Sequence, residues 1–408
     1  MNKMSLDFAT SRYEHEDIVL RAIGDEALNF LSKRIDTSKI RCILLTGSVA
    51  SAEGTVIKYD GHMVASDFDF VIYMGFADFM RHRKYLANLS KQITARIVKR
   101  GINTHIAFVP STSVFQTVPF LKSGIYEYEY ALSSRCLFGR MPQLTKDARP
   151  TKMDALELTF TVVSDIIFSN IKSGSKIEES YIFAKRALTL LNSMLIFHGF
   201  FAETYQKRIE IAKRCSEARA IPITNDEIKM LEIFTRYKLS GHLSQLITSL
   251  GCSNVDNLVE FQRGFLIRMV TKTLHYELDC LLGKTKIAPN YNSSIQEMTS
   301  KLPTLLKKHY RHSGIRPLQR VLGIILYVGL SFRGDKRKKE LFATFVFHSR
   351  SPKFILNILT TILLIHRDEI SLGKVLKEVF PWVKFDETID SVQKMFSLWE
   401  IAEQSIKL

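Results

Sequence analysis

Ile43-Leu44-Leu45-Thr46-Gly47-Ser48, followed after an insertion by Ser66-Asp67-Phe68-Asp69-Phe70-Val71-Ile72-Tyr73, is the stretch on which the reading of this chain turns. Two apolar runs of strand length bracket a small-residue turn and an acid–x–acid pair. Alternate residues of a strand point the same way, so Asp67 and Asp69 project together. Two carboxylates held that close repel, and a divalent cation between them removes the repulsion. Gly47 lets backbone N–H groups approach an anion, and the Ser48 hydroxyl adds a donor. The combination predicts Mg²⁺ (or Mn²⁺) beside a polyphosphate. An Asp-x-Asp by itself suits a solvated strand end equally well. The Gly-Ser turn directly after an apolar strand moves the reading toward a site.

Working outward, residues 16–34 carry Ile18, Val19, Ala22, Ile23, Ala27, Phe30 and Leu31 at helical spacing. Ile40–Thr46 reads as a buried strand, and Ser48–Gly54 as a short helix whose first N–H groups face the phosphates, with Ser48 suited to an N-cap. Thr55–Ala65 is a hairpin centred on Asp60-Gly61, either a flap beside the nucleotide or an exposed decoration. Glu53, just before it, either joins the site or is a surface residue at a helix end, and the second is the plainer reading. Asp78–Arg100 is a basic helix closed by Gly101, its charges forming a solvated face. Ile102–Val109 alternates as a third strand up to Pro110, Ser123–Ala131 reads as helix, and Arg135–Arg140 as a short strand ending in glycine. Pro142–Pro150 reads as a linker.

The order of apolar strand, Gly-Ser turn, acid–x–acid strand and third strand resembles the nucleotidyltransferase superfamily, which shares the catalytic core of DNA polymerase beta. The resemblance covers residues 15 to 140 best, and the rest only in outline. It implies that Gly47 and Ser48 hold a triphosphate and that Asp67 and Asp69 bind the metal. Such enzymes usually carry a third carboxylate near the start of the third strand. Here that place falls on His105, in Asn103-Thr104-His105-Ile106, and no Asp or Glu lies between Gly101 and Tyr126. Three readings stand open. A neutral His105 accepts a proton or ligates a metal; the chemistry has been lost; or the base comes from Glu178 or Glu179 in the helical half, as in some antibiotic-modifying relatives. Lys185, on the same predicted helix, would hold a β- or γ-phosphate as a point charge. A solvated lysine on an amphipathic helix explains it equally well.

From Thr151 the pattern is helical, with segments at about 152–172, 177–199, 203–219, 225–238, 254–282, 294–311, 316–330, 335–348, 353–366, 371–379 and 387–406. The expected class is α+β: a nucleotidyltransferase-type mixed sheet with flanking helices over 1–145, a helical domain lining the cleft over 151–290, and a helical C-terminal region over 291–408. With 408 residues, 46% hydrophobic and 24% charged, the composition is that of a globular protein with room for a sizeable core. A formal net charge of +16 favours an anionic partner: nucleotide, nucleic acid or an acidic membrane surface. Lys301–Arg316 and Arg333–Lys339 are basic runs whose default reading is a solvated surface.

The five cysteines, Cys42, Cys136, Cys215, Cys252 and Cys280, have no metal-type spacing and read as reduced thiols of a cytoplasmic protein. No signal-peptide pattern opens the chain, and Val321–Leu330 and Phe354–Ile365 are too short to span a bilayer as helices. The activity the resemblance implies is Mg-dependent transfer of a nucleoside monophosphate from an NTP donor to a hydroxyl acceptor, a small molecule because the helical surroundings resemble those of small-molecule nucleotidyltransferases more than those of polymerases. Two alternatives remain: an inactive relative acting as a binding or regulatory partner, and an enzyme adding nucleotides to RNA.

Overall fold

In the computed structural model, residues 5–112, 128, 130, 132–141, 150–172, 175–218 and 220–281 are described. The first half is built on β1 (Ile40–Thr46) and β4 (Phe68–Met74), antiparallel, with Thr46 opposite Asp69 and Leu44 opposite Val71. β6 (Ile106–Ser111) runs parallel to β4 on one edge, and β7 (Arg135–Gly139) antiparallel to β1 on the other. Among its described strands the order in this sheet is β6-β4-β1-β7. Alternation sorts the side chains. Ile43, Leu45, Phe70 and Ile72 enter a core shared with α1 (Glu14–Ser32) and α3 (Phe76–Val98), while Cys42, Leu44, Val71 and Tyr73 form a small cluster on the opposite face. The acidic first turn of α1, Glu14, Glu16 and Asp17, suits the positive end of its dipole.

The hairpin appears as expected. β2 (Val56–Tyr59) and β3 (His62–Ala65) are joined by Asp60 and Gly61 at φ 47° and 75°, the paired left-handed conformations of a type I′ turn. Its role differs from both expectations. Val56 and Ala65 face the N-terminal core, whereas Ile57 and Val64 are buried in the core of the helical half. The hairpin is neither flap nor decoration; its two faces join the two halves of the molecule.

The third strand is also revised. Instead of one strand over 102–109, the chain makes β5 (Ile102–Asn103), parallel to β3, and then passes through Thr104-His105 into β6. Thr104 Oγ1 donates to Ser66 O at 2.9 Å and Phe68 N donates to His105 O at 2.9 Å, so the break is held to the start of β4. Pro110 lies inside β6 rather than beyond it, tolerated because β6 is an edge strand.

The helical half comprises α4 (Lys152–Lys172), α5 (Lys176–Phe197), α6 (Tyr205–Glu217), α7 (Asn225–Ser240), α8 (Leu243–Ser249) and α9 (Val255–Leu281). Ser175 caps α5, Thr204 caps α6, and Thr224 with Glu227 makes a capping box at α7. Gly241 ends α7 at φ 66°, and a Cβ there would lie 2.4 Å from Val56 O, so glycine is required by conformation and by contact with β2. The two-turn α8 has too little periodicity to be read from sequence. The helices expected from 294 onward, the linker core at 142–149 and most of the expected 123–131 helix lie outside the described residues. Among the described residues no helix is long and apolar enough to cross a membrane.

Candidate functional site

The strand register assembles the acid pair. From Ser66 to Phe70 exposure alternates: Ser66, Phe68 and Phe70 are buried, while Asp67 and Asp69 are partly open. Both carboxylates therefore leave one face of β4 at its N-terminal end. Thr46 lies opposite Asp69 and donates Oγ1–H to Asp69 O at 3.2 Å, which sets the turn after β1 beside the acids. There α2 (Gly47–Ala50) begins, with Gly47 exposed at φ 77° and nothing within 4 Å of where a Cβ would stand. The open space above Gly47 leaves its backbone reachable, and Ser48 beside it is partly exposed. Gly47, Ser48, Asp67 and Asp69 thus come together as expected.

His105 lies on the adjoining chain, one residue before the β4–β6 pairing begins at Phe68 and Ile106, and is exposed. When protonated, it favours the ionised form of Asp67.

The helical half meets this end of the sheet through one face of α5. Glu178, Tyr181 and Lys185 follow at i, i+3 and i+7. Glu178 Oε2 accepts from Asn103 Nδ2 at 2.8 Å, Tyr181 Oη lies 3.0 Å from Ser66 Oγ, and Lys185 Nζ is 2.9 Å from Asp67 Oδ2. The Lys185 and Asp67 side chains keep 29% and 38% of their exposure, so the clasp sits at a mouth rather than in a core. Burial resists ionisation of Asp67. The Lys185 ammonium, aided by His105 and Arg186, overrides it and holds the carboxyl at about 2. Asp67 in turn pushes the Lys185 pKa up against the opposing effect of burial.

Glu179 is not brought to the acid pair. Its carboxylate is 2% exposed and ion-paired with Lys176 at 2.9 Å and Arg263 of α9 at 2.7 Å. On a helix it lies six residues, about 9 Å of rise, from Lys185 and on another face. Of the two glutamates it is Glu178 that faces the sheet, through Asn103.

Glu53 overturns the surface reading. It is 2% exposed, both carboxylate oxygens accept from Tyr205 N at 3.1 Å at the start of α6, and Arg12 Nη2 lies 3.2 Å away. Burial raises its pKa against these partners.

Sequence reasoning missed the residue beneath the site altogether. Lys238 of α7 is fully buried, with Nζ 3.2 Å from Ser66 Oγ and 3.4 Å from both Glu53 O and Thr55 Oγ1, and the Tyr181 ring centroid 5.0 Å away. Thr55 Oγ1 also donates to Lys238 O. A buried ammonium needs such oxygens and an aromatic face. Its only trace in the sequence is the apolar surround of Tyr237-Lys238-Leu239 just before Gly241.

Among the described residues, no group of three or more His, Cys, Asp or Glu side chains gathers to hold a metal by protein ligands alone. Asp67 and Asp69 suit a different arrangement. A Mg²⁺ ion is commonly held by one or two carboxylates, with substrate phosphates and water filling its shell. Two half-open carboxylates on one face, with an accessible glycine turn and an ammonium beside them, have the donor chemistry for that. They do not fit a soft-metal or all-protein cage. No protein-family model, curated protein or solved structure matches the chain.

Proposed function

We propose that this chain is a nucleotidyltransferase of the DNA polymerase beta type, moving a nucleoside monophosphate from an NTP to a hydroxyl acceptor, a small molecule, with release of pyrophosphate. The observation that carries the reading is the convergence on one mouth of the Asp67/Asp69 pair, the open Gly47 turn and Lys185 from the other half of the chain. In this reading Asp67 and Asp69 hold Mg²⁺, which when bound offsets the phosphate charge in the transition state. Backbone N–H groups at Gly47 and the Ser48 hydroxyl orient the triphosphate, and Lys185 moves from Asp67 to a β- or γ-oxygen. The acceptor oxygen attacks the α-phosphorus as the bond to pyrophosphate breaks. His105, exposed beside Asp67, stands where it can receive the acceptor's proton. A cytoplasmic setting, with abundant NTP and Mg²⁺, fits this chemistry.

Calorimetric titration of ATP, CTP, GTP and UTP with Mg²⁺ tests it. Wild type should bind at least one of them in a metal-dependent manner, and Asp67→Ala and Asp69→Ala should lose that binding while their circular dichroism is unchanged. Undiminished nucleotide binding by a folded Asp67→Ala protein would sink the assignment.

A second reading rests on a specific observation. His105 stands where the resemblance calls for a carboxylate, and Glu179 is committed to Lys176 and Arg263. Under that reading the chain binds nucleotide and transfers nothing. Metal-dependent binding with no pyrophosphate release across an acceptor screen that includes RNA would favour it.

A further inference from the structure

Two of the five cysteines meet across the sheet. Cys42 of β1 and Cys136 of β7 bring their Sγ atoms to 3.6 Å, although they are far apart in sequence. The strand register explains the meeting. Leu44 faces Cys136 across the β1–β7 ladder, and Cys42, two residues before Leu44, leaves the same face of β1. An irregularity between Ile43 and Leu44 shifts β7 at this point. Cys42 is 1% exposed, within the cluster of Leu44, Val71 and Tyr73, while Cys136 is exposed. The pair therefore joins a reachable thiol to a sheltered one.

We propose that Cys42 and Cys136 form a reversible dithiol site for hydrogen peroxide. The exposed Cys136 sulfur attacks the peroxide O–O bond, becoming a sulfenic acid and releasing water. The Cys42 thiol then attacks that sulfur, the S–O bond breaks, the hydroxyl leaves as a second water, and a disulfide joins β1 to β7. Two thiols are oxidised and one peroxide is reduced to two waters; an external dithiol restores the pair. The order follows from access and charge. Burial, reinforced by the neighbouring Cys136, raises the Cys42 pKa strongly, so Cys42 remains a thiol while Cys136 meets the oxidant.

The sulfurs must close from 3.6 Å to about 2.05 Å, which rotation about the Cα–Cβ bonds and a small strand shift would bring about. The consequence is local: β7 has only β1 as a described partner, and Arg135, adjacent to Cys136, donates Nε–H to Ala50 O at the end of α2. The staple would fasten that edge strand where it holds the Gly47 turn. The chemistry of the pair is independent of the nucleotide reading.

The test is peroxide treatment of the folded chain at a few equivalents, followed by blocking of free thiols and peptide mapping under non-reducing conditions. The five thiols should fall to three, with one cross-linked peptide joining Cys42 to Cys136 and disappearing with dithiothreitol. In Cys42→Ser, dimedone should trap a sulfenic acid on Cys136 that wild type does not accumulate. Urea-unfolded wild type should lose the selectivity, a control that does not depend on any variant folding. Cys136 left as a thiol, carried on to sulfinic acid with Cys42 still free, or cross-linked to another cysteine would overturn the proposal.

Discussion

Glu277 makes the sharpest test of the helical core. It lies on α9, is fully buried, and its Oε1 is 2.9 Å from Ser193 Oγ of α5. Ser193 Oγ is also 2.6 Å from Ala155 O and 2.7 Å from Thr159 Oγ1. Ala155 O can only accept, so the single Ser193 proton belongs there, and the Glu277 contact is best made by a protonated carboxyl that donates. Oε2 has no hydrogen-bond partner among the described residues, which an ionised group would tolerate poorly. Burial accordingly pushes the Glu277 pKa from 4.5 to about 8, against the smaller opposing effect of Ser193 and Thr159.

The native pKa is raised above the unfolded one, so the stabilisation is fully present below about 4.5 and is lost as pH rises through about 8. The shift, 8 − 4.5 = 3.5, at about 1.4 kcal/mol per unit, bounds the loss near 5 kcal/mol by pH 9, with about 3 kcal/mol gone by pH 7. Glu277→Gln keeps the shape and cannot ionise, but its second amide N–H lacks a partner, costing about 1–2 kcal/mol. Wild type and variant should therefore lie within about 1 kcal/mol of each other at pH 5, cross between about pH 5 and 6, and the variant should be the more stable protein at pH 7 and by a wider margin at pH 9. Urea midpoints of both proteins at pH 5, 7 and 9 measure the difference, in which every other titrating group cancels. A difference that stays constant across this range would refute a neutral, buried Glu277.

The contact between the halves supplies three further tests. Ile57→Ala should lower stability by about 2–5 kcal/mol in denaturant titration, because Ile57 is fully buried in the helical core; a loss under 0.5 kcal/mol would return the hairpin to the role of decoration. Gly241→Ala should cost about 1–3 kcal/mol and clearly more than Gly251→Ala by thermal melting, since both have a φ near 65° but only Gly241 meets a backbone oxygen at 2.4 Å. Lys185→Met should tighten binding of Mn²⁺ alone, up to about fivefold, because the ammonium no longer competes for Asp67 at a half-exposed pair. The same variant should weaken Mn·NTP binding, and a change in the same direction for both would contradict the clasp as drawn.

Much of the fold was legible because its signals are local. Alternation along Ile43–Leu45 and Phe70–Tyr73, the Asp60-Gly61 turn, and helix periodicity from Lys152 to Leu281 each depend on a few neighbouring residues. The expectations that failed share a different cause. The hairpin's two destinations depend on what lies against each face, and the alternation of Val56, Ile57, Val64 and Ala65 is the same whether one face meets solvent or a second core. The split of the third strand at Thr104-His105 is set by hydrogen bonds to Ser66 and Phe68 that sequence spacing does not reveal.

The site divides along the same line. Gly47, Ser48, Asp67 and Asp69 could be grouped from sequence because one strand pair carries all of them. Lys185 required a contact between halves, and Glu178 could not be told from Glu179 while the helix had no orientation. Glu53 and Lys238 were invisible because a charged residue is ordinarily solvated, and nothing in its own neighbourhood says otherwise. Their burial is explained by each other's surroundings. The Glu53 carboxylate closes the start of α6, the Glu53 carbonyl receives Lys238, and Lys238 reaches Ser66, the residue before Asp67. Two buried charges of opposite sign, from different halves, thus flank the strand end that carries the acids. Each is held by partners of its own, Glu53 by Tyr205 N and Arg12, and Lys238 by the Glu53 carbonyl and the Thr55 and Ser66 hydroxyls, which is a reason for the mouth to keep one geometry. The clasp between Lys185 and Asp67 then operates on a fixed base, so that what opens at the mouth is one ion pair rather than the interface between the halves.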